Sequence, residues 1–224
     1  MESSSVQTNP MDKIKKKLWA QIFIIYTRYL IGGAFVFASL VKVMGGRFTA
    51  ESGASNPIDS AWHFFETLYA SGLYWKFIGV AQLVSGFLLM TQRYSKLAAL
   101  VNLPIILNIF MITLSYYFAF TPVITGLMLL ANILLIVWEW NELKIIFNLR
   151  PTLTHEKLME NDKLWSLFGL VLFVQTLFCK LFLGEENAIF WLLSFPLLGL
   201  LALVLGLKRE RKRRYLIQVN PLDT

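Results

Sequence analysis

Arg28 and Lys42 stand two heptads apart inside one long apolar run, WAQIFIIYTRYLIGGAFVFASLVKVMGGRF, from Trp19 to Phe48. A full charge at bilayer depth costs from about 3 to more than 10 kcal/mol. Such a side chain persists only where it faces other protein or water, so Arg28 marks the interior of a helical bundle. Two cations in apolar surroundings could hold an anionic or carbonyl-bearing group. Arg28, Phe35 and Lys42 share one helical face, with Gly32 alongside, while Gly32, Gly33 and Ala34 allow a neighbouring helix to approach closely.

Further polar residues lie in later apolar runs. At 1.5 Å per residue, Arg28 sits roughly 15 Å from its basic boundary, Gln82 about 12 Å, Asn108 about 16 Å and Asn132 about 9 Å. These four are expected to converge inside the bundle, the guanidinium donating to the amide oxygens. Thr125, Asn132 and Glu139 repeat every heptad, and Glu139, at the end of its run between Trp138 and Trp140, is an acid that Arg28 can reach through a water or an amide. Two readings stay open: a polar layer that glues helices, or a ligand site lined by Arg28, Lys42, Gln82, Asn108, Asn132 and Glu139.

The elements that must position these residues are membrane spans. The chain has 224 residues, 56% of them hydrophobic, with mean hydropathy +0.58. Runs this apolar satisfy their backbone in lipid only as helices or closed barrels, and the pattern here does not alternate. Six spans are predicted: Leu18–Val43, Leu73–Met90, Leu97–Phe118, Pro122–Trp138, Leu164–Leu183 and Ile189–Leu207. Pro122 breaks the third from the fourth, and the acidic turn Gly184–Glu185–Glu186–Asn187 separates the last two. The first run is long and lacks a small-residue cleavage site before Lys42, so it reads as an uncleaved span rather than a signal peptide.

The net charge of +7 is a topological signal. With the N-terminus in the cytoplasm, Lys13, Lys15, Lys16, Lys17, Arg93, Lys96, Lys144, Arg150, Lys157, Lys163 and the run from Lys208 to Arg214 all fall inside. The outer side receives Lys42, Arg47, Lys76 and Lys180, with Glu51, Asp59, Glu66, Glu185 and Glu186. Every loop agrees with the positive-inside rule, so both termini are expected in the cytoplasm. The basic tail is either a topogenic stop or a site for anionic lipid. On the outer side, Gly45–Pro57 reads as a flexible loop, and Ile58–Ala70 as an amphipathic helix with Ile58, Trp62, Phe65 and Tyr69 on one stripe. That helix is either an aromatic anchor at the interface or a lid over an outward cavity, with Trp62, His63, Phe65 and Glu66 as the lid residues.

Between Tyr26 and Trp140 the chain resembles the DoxX-like family of small multi-pass bacterial membrane proteins. The resemblance rests on Arg28, Gly32 and Ser39–Leu40–Val41–Lys42 in the first span. It continues in Gln82–Leu83–Val84–Ser85–Gly86–Phe87–Leu88–Leu89 and the basic, alanine-rich Arg93–Ala99. Ser39 and Ser85 stand where the family has glycines, and Gln82 where it usually has a glutamate, so Arg28 lacks its expected in-membrane counter-ion. The resemblance implies a four-helix transmembrane bundle (18–140); the last two spans lie outside it, so the fold expected is an all-α membrane protein made of that bundle plus two additional C-terminal transmembrane helices (164–207). A cytoplasmic loop (141–163) joins them, flanked by a basic N-terminus (1–17) and a basic tail (208–224). It also implies a quinone-linked or oxidative-stress redox assembly in which such a chain is a non-catalytic subunit.

Other chemistry lacks the residues it needs. A membrane haem takes paired axial ligands, whereas His63 is expected outside and His155 inside. No His, Cys, Asp or Glu cluster has metal-ligand spacing. The single Cys179 permits no intramolecular disulfide or redox pair and reads as a core residue. No catalytic constellation is visible, so metal and haem are not expected, whereas a quinone fits the cationic face. Partners are the bilayer and a membrane redox protein, not nucleic acid. Three classes remain: a redox-associated subunit in the inner membrane, a small transporter or channel with an Arg28-centred pathway, and an assembly protein without a ligand.

Overall fold

A computed structural model describes residues 10–151, 158–183 and 188–219. His155, Lys157 and the acidic turn Gly184–Asn187 lie outside the described residues. The helices are α1 (Pro10–Lys15), α2 (Leu18–Val43), α3 (Ala61–Ala70), α4 (Leu73–Met90), α5 (Ser95–Ser115), α6 (Thr121–Leu143), α7 (Lys163–Phe178) and α8 (Ala188–Val219). Short 3₁₀ turns cover Lys144–Phe147 and Met159–Asn161, and α7 runs on into a π-helical turn, Cys179–Leu183. No strand occurs among the described residues. Six helices are long and apolar enough to cross a membrane. The chain is an all-α, multi-pass membrane protein.

Local signals set the ends of these helices. α2 closes in a Schellman motif: Gly45 takes φ +74°, Gly46 N–H donates to the Val41 carbonyl and Gly45 N–H to that of Lys42. Pro122 stands in the first turn of α6, where the N–H it lacks would have had no intrahelical acceptor. The outer helix begins at Ala61 rather than Ile58, because Ser60 caps it by accepting the His63 N–H at 3.2 Å. Ile58 is left in the preceding turn, 81% exposed. α8 differs most from expectation, continuing as helix through the basic tail to Val219. Lys, Arg and Glu are good helix formers, and Glu210 accepts from Arg213 and Arg214 at 3.0 and 2.9 Å.

α2 is the hub. It packs along α4, where Gly32 and Gly86 face each other so closely that a Cβ on Gly86 would meet the Gly32 carbonyl. α5 pairs with α6 and also touches α4. Ile24 and Ile31 of α2 share one core with Leu89, Ala98, Leu135 and Trp138. On the opposite face, Ile25, Tyr29 and Val36 share a second core with Trp165, Leu172, Phe195 and Ala202 of the α7–α8 hairpin. Two hydroxyls tie that hairpin down: Tyr26 donates to the Gly199 carbonyl at 2.6 Å and Tyr29 to that of Trp165 at 2.5 Å.

Candidate functional site

The polar residues divide into three groups along the bundle. The first surrounds Arg28, which is 1% exposed. A helical side chain leans toward the helix N-terminus, so the guanidinium reaches the basic end of the bundle instead of staying level with its Cα. There its Nη2 donates to Glu139 Oε1 at 2.7 Å and its Nη1 to Gln92 Oε1 at 2.8 Å. Glu160 Oε2 lies 2.8 Å from Nη1 but off the N–H direction, a Coulombic contact without an aligned hydrogen bond. Ser95 donates to Glu139 at 3.0 Å and Trp138 Nε1 to Glu160 at 3.3 Å. Gln92 sits at φ +58°, held by its bond to Arg28 and by its own donation to the Ile25 carbonyl at 3.2 Å.

Arg28 therefore has two carboxylate counter-ions, neither at the position of Gln82. Glu139 touches it directly, without an intervening water or amide. Glu160 comes from the connection between α6 and α7, and it is docked there by Met159, whose N–H donates to Gln21 Oε1 at 2.7 Å. A polar cavity of about 270 Å³ opens beside the cluster, lined by Lys15, Arg93, Glu142 and the Lys96 that pairs with it.

The second group is buried and bonded within itself. Asn102 Nδ2 donates to Asn132 Oδ1 at 2.9 Å, Ser85 to Asn102 Oδ1 at 2.9 Å, and Asn132 Nδ2 to the Ala99 carbonyl at 3.0 Å. All three side chains are fully buried. Asn132 thus meets Asn102, whereas Asn108 is exposed. Six residues turn a helix through about 240°, so Asn102 and Asn108 cannot both face inward. Counting depth alone does not fix azimuth, which is why Asn102 escaped the sequence reading.

The third group lines a cavity of about 400 Å³ at the opposite half of the bundle, between α2, α4, α5 and α6. Its polar residues are Lys42, Gln82 and Asn108 with Thr113, Thr121 and Thr125, in walls that are otherwise aliphatic and aromatic. Lys42 Nζ donates to the Ala38 carbonyl at 2.6 Å and lies 5.3 Å from the Phe48 ring and 5.2 Å from the Trp75 ring. Gln82 is 3% exposed, and its Oε1 has no hydrogen-bond partner among the described residues. Arg28 does not line this cavity, and the two cavities share no lining residue.

Of the lid residues, Phe65 lines the cavity, joined by Leu68. Trp62 instead packs edge-on against Phe118, ring centroids 5.6 Å apart, and His63 is half-buried beside the Ser60 cap. Glu66 anchors the helix: Arg47 Nε reaches both its oxygens at 3.1 and 3.0 Å, and the Gly53 N–H donates to it at 3.2 Å. The hydrogen bonds from Arg47 hold the Glu66 carboxyl below the usual carboxylate range and raise the guanidinium in turn. Cys179 is buried in the π-helical turn. No group of three metal-ligating side chains occurs among the described residues.

No family model matches the chain. The uncharacterized protein YwoB of Bacillus subtilis (strain 168) is 30% identical over 132 residues, 57% of this chain and 83% of that protein. The chain belongs to the YwoB family. No solved structure matches it. The chemistry of this YwoB relative rests on its own side chains, which offer an apolar cavity with a buried ammonium and an ionic cluster that borders a polar cavity.

Proposed function

We propose that this chain is a non-catalytic inner-membrane subunit that binds a carbonyl-bearing or anionic amphiphile, such as a quinone head group, in the cavity between α2, α4, α5 and α6. Both termini lie in the cytoplasm, following the loop charges. The observation that carries the reading is the convergence of Lys42 and the unpartnered Gln82 on an apolar space of about 400 Å³. The resemblance of α2 and α4 to DoxX-like proteins supports a place beside a membrane redox enzyme. A pathway centred on Arg28 has less support, because that guanidinium is engaged by Glu139, Gln92 and Glu160 and the two cavities share no wall.

Native mass spectrometry of the gently solubilised protein tests this. The wild type should carry a bound amphiphile, Lys42→Met and Gln82→Leu should lose most of it, and folded Arg28→Gln should keep it. If the wild type carries none, and cells lacking the protein grow normally under oxidative and sulfur stress, the reading falls to that of an assembly protein.

A further inference from the structure

The cavity holds an ammonium but no anion. Lys42 is 7% exposed, and its hydrogen bond goes to a backbone carbonyl, with no carboxylate of the described residues paired to it. The contrast with Arg28, which gathers two carboxylates at the other end of the bundle, is informative. Arg47, in the loop after the span, has Glu66 as its own partner. Aromatic faces soften the Lys42 charge but do not neutralise it. A buried cation without a counter-ion is costly in a low-dielectric site, and an incoming anion removes that cost.

The opening of the cavity says where the anion comes from. Within the spans, the exposed side chains of its lining are Tyr74 and Phe77 on α4 and Pro104 and Asn108 on α5. The cleft therefore opens sideways between α4 and α5, toward the hydrocarbon. Pro104, inside α5, removes a helix hydrogen bond beside the cleft. Asn108 stands at the mouth without a side-chain partner among the described residues. A ligand entering here arrives from within the lipid, with its head inside and its tail left among the acyl chains.

Resting on the amphiphile reading above, we infer that the ligand is a single-chain carboxylate amphiphile of the fatty-acid class. Its carboxylate accepts from Lys42 and from the amide N–H groups of Gln82 and Asn108, and its chain leaves through the α4–α5 cleft. The anion supplies the charge that the cavity lacks, which a neutral carbonyl head does not.

Quenching of Trp75, which lines the cavity, reads occupancy. The full-length protein in neutral-lipid nanodiscs is titrated with dibromostearate, its methyl ester and a short-chain ubiquinone, and the signal is taken as the difference from Trp75→Phe. The acid should bind about tenfold more tightly than the ester, Lys42→Arg should keep that preference, and Lys42→Met should abolish it. Equal binding of acid and ester by the wild type, or a preference that survives Lys42→Met, overturns the carboxylate assignment; ubiquinone binding in that case leaves the broader cavity reading standing. Quenching by none of the three probes overturns both.

Discussion

At Arg28 the interest lies in the arithmetic of charge. One guanidinium serves two buried carboxylates, but unequally: Glu139 has the aligned hydrogen bond and Glu160 only proximity. Removing one partner of a buried pair costs about 3–5 kcal/mol because it strands the other charge, and Arg28→Gln strands two. Glu160→Gln leaves the Arg28–Glu139 pair intact and keeps an oxygen for Trp138, so its cost should stay near 1 kcal/mol. Thermal unfolding in detergent should therefore rank Arg28→Gln far below Glu160→Gln; equal losses would show that Glu160 is no lesser counter-ion. The sequence made Arg28 conspicuous because a charge in a greasy run has few explanations. It did not reveal Glu160, which lies in a connection with no periodicity, and the one clue was the debt of charge itself. The sequence does not separate Asn102 from Asn108, because depth along a helix carries no information about which way a residue faces.

α3 has no fully buried residue, and it is seated both by aromatic contacts, Phe64 stacked on Tyr116 and Trp62 edge-on to Phe118, and by one ion pair. Its fixed point is Glu66, bonded to Arg47 and to the Gly53 N–H. A carboxyl held below its ordinary value stabilises the fold fully above the unfolded value, about pH 4.3, and progressively less as pH falls through the folded one. Arg47 stays charged throughout, so the loss belongs to Glu66 alone. Backbone amide exchange over residues 47–70, corrected for its intrinsic pH dependence, should rise below about pH 4 in the wild type. Glu66→Gln should show the raised exchange already at pH 7; identical exchange there would mean that aromatic packing, not the ion pair, seats the helix. The spans were legible because about 20 apolar residues can do little else in lipid. The helical tail of α8 was not, because a run of charges looks like solvated coil until the spacing of Glu210, Arg213 and Arg214 is laid on a helix.

Over the whole molecule the two ends of the bundle are chemically different. One end gathers two acids paired to Arg28 and the Lys96–Glu142 pair around a polar cavity, and the other offers a single ammonium in an apolar one. Between them lies the buried Ser85–Asn102–Asn132 network, whose side chains bond to one another. The asymmetry fits the proposed orientation, in which the Arg28 end faces the cytoplasm and the Lys42 cavity the outer leaflet. Were the orientation reversed, Lys13, Lys15, Arg93 and the α8 tail would all have to cross the membrane, and the cavity would draw its ligand from the inner leaflet instead. Single cysteines on a Cys179→Ser background decide between the two. Ser55→Cys, exposed in the loop before α3, should react with a membrane-impermeant maleimide in intact cells, and Arg150→Cys, exposed beyond α6, only after lysis. Labelling of both before lysis would refute the six-span topology, and the inverse pattern would turn the molecule over, moving the fatty-acid site to the cytoplasmic leaflet.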